Sequence, residues 1–300
     1  MGMDEIIELA SVKFGPVKAC IYCGRASGEL TSEHIFPLSL GGKIELLEAS
    51  CSHCAKETTK LETYIGRNLW FNARTKLGFP TRRKKDRPDH LTVVGKDGQL
   101  IPIPATAYPA LLPLLWFPLP SVLTGQVSES VEIKVSIFQM AGAGPSDVGV
   151  EQFEIRGSID PIRYGRFIAK IAHGMAVLRL GLNGFDPVLN DIIVNPQKAK
   201  MDDLFRFVGS QQETTPPASL PQGVSHSSTP LRNNDHAGQS WICEEIQLFS
   251  NWGQPMAEGH TIGTPRYLVV IGKPKGLTPS EPLHSLHYPD AIARASQRQR

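Results

Sequence analysis

Four of the five cysteines stand in two Cys-x-x-Cys pairs, Cys20/Cys23 and Cys51/Cys54, with 27 residues between the pairs. A two-residue spacer lets one tight turn aim two thiolates at the same ion, and Zn²⁺ asks for four such ligands in a tetrahedron. The spacing therefore predicts a closed four-cysteine structural zinc site. Four unrelated thiols, or two disulfides, are the competing readings, and the paired spacing favours zinc over both. A closed site performs no chemistry. It folds a segment too short to have its own core, so the functional question passes to what it holds, the pair Glu33-His34.

The chain reads Cys20-Ile21-Tyr22-Cys23, then Glu33-His34-Ile35-Phe36-Pro37 with Gly41-Gly42, then Ala49-Ser50-Cys51-Ser52-His53-Cys54 leading into a helical run. Over residues 18–80 this resembles the HNH endonucleases in the zinc-stapled form of their ββα-metal fold. The resemblance implies that His34 is the general base and that Glu33, with a residue on the following helix, holds one divalent metal, Mg²⁺ or Mn²⁺. Those residue types suit the chemistry. A neutral imidazole accepts a proton from water near pH 7, and a carboxylate is a hard oxygen ligand. The family usually has Asn or His directly after the last cysteine, where this chain has Ala55. An Asn is also common shortly before the third cysteine, where Glu45-Leu46-Leu47-Glu48 stands instead. The remaining metal ligand falls among His53, Glu57 and Glu62, or is lost.

Residues 55–77 read as one helix ended by Gly78 and Pro80. Leu61, Ile65 and Leu69 fall on one stripe. Lys56, Lys60, Arg67 and Arg74 fall within about 40° of one another on the other side, as a candidate phosphate-binding ridge or a merely solvated face. Arg82 and Arg83 open a short basic block with the same two readings. Elsewhere the charge argues little: 20% charged residues and a net charge of +2 give no overall basic field, so any basic surface is local.

The expected fold class is α+β: a small zinc-stapled ββα-metal domain over 19–88, after a leader at 1–18, followed by a larger α+β unit over 89–275. Within the second unit, Leu91–Val94 and Leu100–Ile103 flank an Asp97-Gly98 turn and predict a hairpin. The stretch 105–119 is apolar but broken by Pro109, Pro113 and Pro118, with Pro120 just beyond it, and is expected to be buried or irregularly packed. Strands are expected at 131–140, 153–155, 241–249 and 266–271. Asp160-Pro161 starts a helix that stops near Gly181, with His173 as a satisfied core or boundary histidine. Residues 201–208 are ambiguous between helix and strand. The Ser/Thr/Pro-rich stretch 210–238 is expected to be a mobile loop with His226 and His236 solvated, and 276–300 a disordered tail. Cys243 is expected to be a buried inert thiol.

No run of 18 or more apolar residues occurs, and the cysteine usage fits a reducing compartment, so the chain is expected to be cytoplasmic. The functional expectation is hydrolysis of DNA phosphodiesters, RNA remaining open because such a centre reads backbone and not bases. Two alternatives come from other classes. One is a non-catalytic zinc module that binds nucleic acid or protein. The other is a nuclease gated by a ligand or partner bound at the C-terminal unit.

Overall fold

A computed structural model describes residues 11–81, 87–95, 97–126, 131–139, 144, 146–148, 158–211, 226–250, 253–255 and 261–276. Arg82 and Arg83, the expected strand at 153–155, most of the leader and nearly all of the tail lie outside them.

The N-terminal segment is a three-stranded sheet and a helix. β1 (Val12–Phe14) pairs parallel to β3 (Ile44–Cys51), and β2 (Leu30–His34) pairs antiparallel to β3 on its other side. A 3₁₀ turn, Leu38–Leu40, lies in the β2–β3 connection. Gly41 ends it in the left-handed region, at φ 81°. At Gly42 a Cβ would sit 1.9 Å from the Phe36 carbonyl oxygen, so only glycine closes this loop.

Helix α1 (Ser52–Thr63) follows directly, but the expected single helix does not continue to residue 77. Residues Tyr64–Leu69 form a π-helical turn, and α2 (Phe71–Lys76) resumes after a break at Trp70. The Trp70 N–H bonds the Ile65 carbonyl at 2.9 Å, five residues back. One line of buried positions runs Cys54, Thr58, Leu61, Ile65, Trp70, Ala73, with Tyr64 and Gly66 buried beside it in the π turn. The one five-residue step absorbs the extra residue and turns Trp70 into the core.

The rest is α+β, as expected. β4 (His90–Val94) and β5 (Leu100–Pro104) form the expected hairpin. β6 (Leu111–Trp116) pairs antiparallel with β7 (Lys134–Gln139), so the proline-broken stretch contains a strand after all. A short helix, α3 (Ser121–Thr124), lies between them. Helix α4 (Pro161–Leu180) begins where Asp160 caps it, its side chain accepting from the Arg163 N–H at 3.0 Å, and ends at Gly181 with φ 69°. Then come β8 (Phe185–Pro187), α5 (Asn190–Val194), α6 (Met201–Phe205) and β9 (Val208–Gln211), which resolves 201–208 as a helix running into a strand. β10 (His226–Asn234) corrects the expected loop over 210–238, of which 212–225 lie outside the described residues. The remaining strands are β11 (Ser240–Leu248), β12 (Gly253–Pro255), β13 (Thr261–Gly263) and β14 (Arg266–Pro274). The largest sheet runs β10-β11-β14-β8, with β9 also on β14, and β12 pairs with β13.

Helix α4 is the hub. It is apolar on nearly every side, with 14 of its 20 residues buried, as expected of a helix covered all round. It packs against β11 and β14 of the sheet and against α1 and the π turn of the N-terminal segment. One apolar core runs unbroken from Cys20 and Ile35 through Trp70, Tyr164 and Phe167 to Tyr267 and Ile271. Trp70 joins the parts: its ring meets Tyr164, Phe167 and Phe249 edge-on, and its indole N–H donates to the Pro113 carbonyl at 3.0 Å. Among the described residues no helix is long and apolar enough to cross a membrane.

Candidate zinc site and His34 centre

The two Cys-x-x-Cys turns meet. The Sγ atoms of Cys20, Cys23, Cys51 and Cys54 all lie within 4.8 Å of one another, and those of Cys23 and Cys51 are 3.7 Å apart. Zn–S bonds of about 2.3 Å put tetrahedral sulfurs about 3.8 Å apart, so the cluster is the right size for zinc. None of the four forms a disulfide. Cys20, Cys51 and Cys54 are buried and Cys23 is exposed. Burial, with charge from Cys20, pushes the Cys54 thiol up. At Cys51 burial acts the same way, but hydrogen bonds from the Cys54 N–H and neighbouring thiols bring it down to about 7. Four crowded thiols of which one ionises readily are a donor set that a soft cation completes.

An ion held by the four thiolates would tie β3 and the start of α1 to the Cys20–Cys23 turn and so fix what lies between. The Ile21 N–H donates to the Ala49 carbonyl at 2.8 Å, and β2 runs back along β3 so that Glu33 faces Leu46 and His34 faces Glu45. Glu33 and His34 then part ways. Glu33 is buried, and its Oε1 accepts from the Tyr22 hydroxyl at 3.0 Å and from Lys170 Nζ at 2.9 Å. His34 is half-buried at the end of the strand; its Nδ1 is buried and bonded to nothing among the described residues, so no protein group fixes its tautomer.

Lys170 is the site residue the sequence reading passed over. It sits mid-way along α4, its side chain fully buried, and its ammonium also meets Glu62 Oε1 at 2.8 Å, the Ile35 carbonyl at 3.1 Å and the His34 carbonyl. The carboxylates raise its pKa against the burial that lowers it, so the amine stays charged. A signal was present: one lysine in the run Phe167-Ile168-Ala169-Lys170-Ile171-Ala172 is a charge inside a helix with no polar face, and such a charge needs partners.

This bears on the divalent metal that the resemblance implies. Glu33 and Glu62 do converge, as a ligand pair should, but on an ammonium. With Lys170 seated, Glu33 is enclosed by its two partners, and these residues do not fit a Mg²⁺ or Mn²⁺ ion. Glu57 is paired with Lys60 at 2.6 Å, which holds its carboxyl below the usual range, and His53 is exposed at the start of α1.

The basic ridge is shorter than expected. Lys56, Lys60 and Arg67 are exposed, with Lys60 engaged by Glu57. Arg74 is drawn inward by the phase shift of the π turn and donates to the carbonyls of Ser39 at 2.5 Å, Gly66 at 2.7 Å and Pro80 at 3.2 Å. It staples the helix break to the β2–β3 connection and is removed from the phosphate-binding set.

The accessory histidines also divide. His173 is a core histidine, as expected, with Nε2 bonded to the Ile21 carbonyl at 2.7 Å, but it is only half satisfied: its buried Nδ1 has no hydrogen-bond partner among the described residues. His226 corrects the expectation of a solvated ring: it is buried, stacked on Phe36 at 5.1 Å, with Nε2 bonded to the Leu40 carbonyl. His236 is exposed and Cys243 buried, both as expected.

Comparison with curated proteins and with solved structures returns no match. Comparison with family models returns one that covers both cysteine pairs, β2, β3, α1 and the turn to Trp70. Residues 20–70 match the family model of the HNH endonucleases, and the four-cysteine cluster within them is compatible with the zinc-stapled form of that segment.

Proposed function

We propose that the chain hydrolyses phosphodiester bonds of DNA, with His34 as the general base that takes a proton from the attacking water. What carries the reading is the half-exposed His34 at the end of β2, held by the four-cysteine cluster within the segment that matches HNH endonucleases. Lys56, Lys60 and Arg67, exposed on α1 and the π turn, would meet the phosphates, worth mostly salt-dependent affinity. The four cysteines would hold structural zinc and take no part in the chemistry.

Nicking of supercoiled plasmid tests this, with Mg²⁺ or Mn²⁺, with EDTA, and with His34→Ala. The expected outcome is cleavage that the substitution lowers by at least 100-fold while one zinc per chain is retained. Full activity in His34→Ala removes the assignment.

A second reading has one specific observation in its favour. Because Lys170 already neutralises Glu33 and Glu62, the segment also suits a zinc-stabilised module that binds nucleic acid without cutting it. DNA binding by the zinc-loaded chain, with no cleavage under any divalent ion, would establish that reading instead.

A further inference from the structure

Two carboxylates and two backbone carbonyls point at one spot inside the molecule. Glu33 Oε1 comes from β2, Glu62 Oε1 from α1, and the carbonyls of His34 and Ile35 from the end of β2. Hard oxygens, two of them charged, are the donor set of Mg²⁺, Mn²⁺ or Ca²⁺. The spot is filled by Lys170 Nζ. An ammonium has three N–H bonds and here meets four oxygens, one more than it can satisfy singly. A spherical cation has no such limit.

The ammonium is delivered by a helix pressed close to the strand. Gly174, one turn on, leaves so little room that a Cβ there would lie 3.3 Å from the Ile35 side chain, and His173 bonds the Ile21 carbonyl from the same face. Lys170 thus arrives with its helix fixed at both neighbouring contacts.

We propose that Lys170 is a built-in cation that occupies a divalent-metal seat, so that the native chain takes no metal at Glu33 and Glu62 and the seat is opened by removing the lysine. The carboxylates then have the chemistry of a ligand pair but serve as the anchor of an internal ion pair. Lys170 is a positioning residue: its Nζ is wholly enclosed and reaches His34 only through the backbone carbonyl.

The test uses the full zinc-loaded chain and Mn²⁺ as probe, without DNA, so its outcome is independent of whether the chain cuts. Bound Mn²⁺ is counted from the loss of the free-ion EPR signal, and thermal midpoints are read with and without the ion. The native chain is expected to bind no Mn²⁺ that Glu33→Gln removes, and to melt at the same temperature with and without it. Lys170→Ala is expected to bind one Mn²⁺ per chain and to melt higher in its presence, and Lys170→Ala/Glu33→Gln to lose both effects. Lys170→Met keeps the apolar stem and serves if the alanine variant does not fold alone; recovery of folded protein on adding Mn²⁺ supports the proposal equally. Two results would overturn it: stoichiometric Mn²⁺ on the native chain that Glu33→Gln abolishes, or failure of both lysine variants to bind or be stabilised by the ion. A role in packing alone would leave Mn²⁺ stoichiometry unmoved.

Discussion

His226 shows how a single side chain can carry a pH dependence. Its Nδ1 accepts the Phe249 N–H at 3.2 Å, so the proton must sit on Nε2, which donates to the Leu40 carbonyl at 2.9 Å. A second proton would face a donor. Burial accordingly holds its pKa down to about 4, against about 6.5 in an unfolded chain. Between those values the unfolded state binds more protons, so the contribution is whole above pH 6.5 and is lost as pH falls toward 4. His173, also buried and held down to about 4, acts in the same direction. His226→Phe should lower stability at pH 7 by roughly 2 kcal/mol, since it orphans two buried backbone groups. Its further loss between pH 7 and pH 5 should be smaller than the native chain's by roughly 1–2 kcal/mol. Urea midpoints at the two pH values measure both; equal slopes in the two proteins would remove His226 as the cause. At this scale the cysteines, Glu33 and His34 were legible in the sequence because ligand spacing is local. The partner of Glu33 was not, because Lys170 lies more than a hundred residues on and only the packing of α4 brings it there.

At the scale of elements, what could be read was what local chemistry writes. Asp160-Pro161 and Gly181 bracket α4 because a cap, a fixed φ and a left-handed residue are each properties of one position. The π turn has no such mark; it exists because Trp70 gains more by entering the core than the helix loses at one step. Proline and serine misled in two places for one reason. β6 contains Pro113 and β10 contains Pro230, and both are edge strands, where a missing N–H costs no ladder bond. Composition alone does not distinguish such an edge from a loop. The Gly41-Gly42 pair makes a prediction at this scale. Gly42→Ala should cost about 2–4 kcal/mol, because the added carbon meets backbone and not a side chain that could swing away. Gly41→Ala, whose Cβ would lie no closer than 3.5 Å to Phe79, should cost only about 1 kcal/mol of backbone strain. Thermal midpoints of the two variants, ranked the other way, would refute the argument.

Across the whole molecule, two units distinguishable in sequence share one interior. The segment through residue 88 buries Ile35, Phe36 and Trp70 largely with residues that come later, and Trp70 alone is worth about 3–5 kcal/mol of packing. Removing zinc should therefore unfold more than the cysteine turns. Chelation of the full chain is expected to lower a single thermal transition, whereas two transitions, with only the smaller one sensitive to chelator, would mean separate domains. Expressed as residues 11–88, the zinc-stapled segment should not hold a stable fold, since it would also leave Glu33 and Glu62 without their ammonium. The ion cage also bears on how separable the parts are. A segment that borrows its counter-charge from a distant helix is not expected to hold together as a transplanted cassette, and the effects of substitutions at positions 33, 62 and 170 are expected to be non-additive. With its counter-charge supplied from α4, the segment is less a portable module than a half that works only beside the helix that completes it.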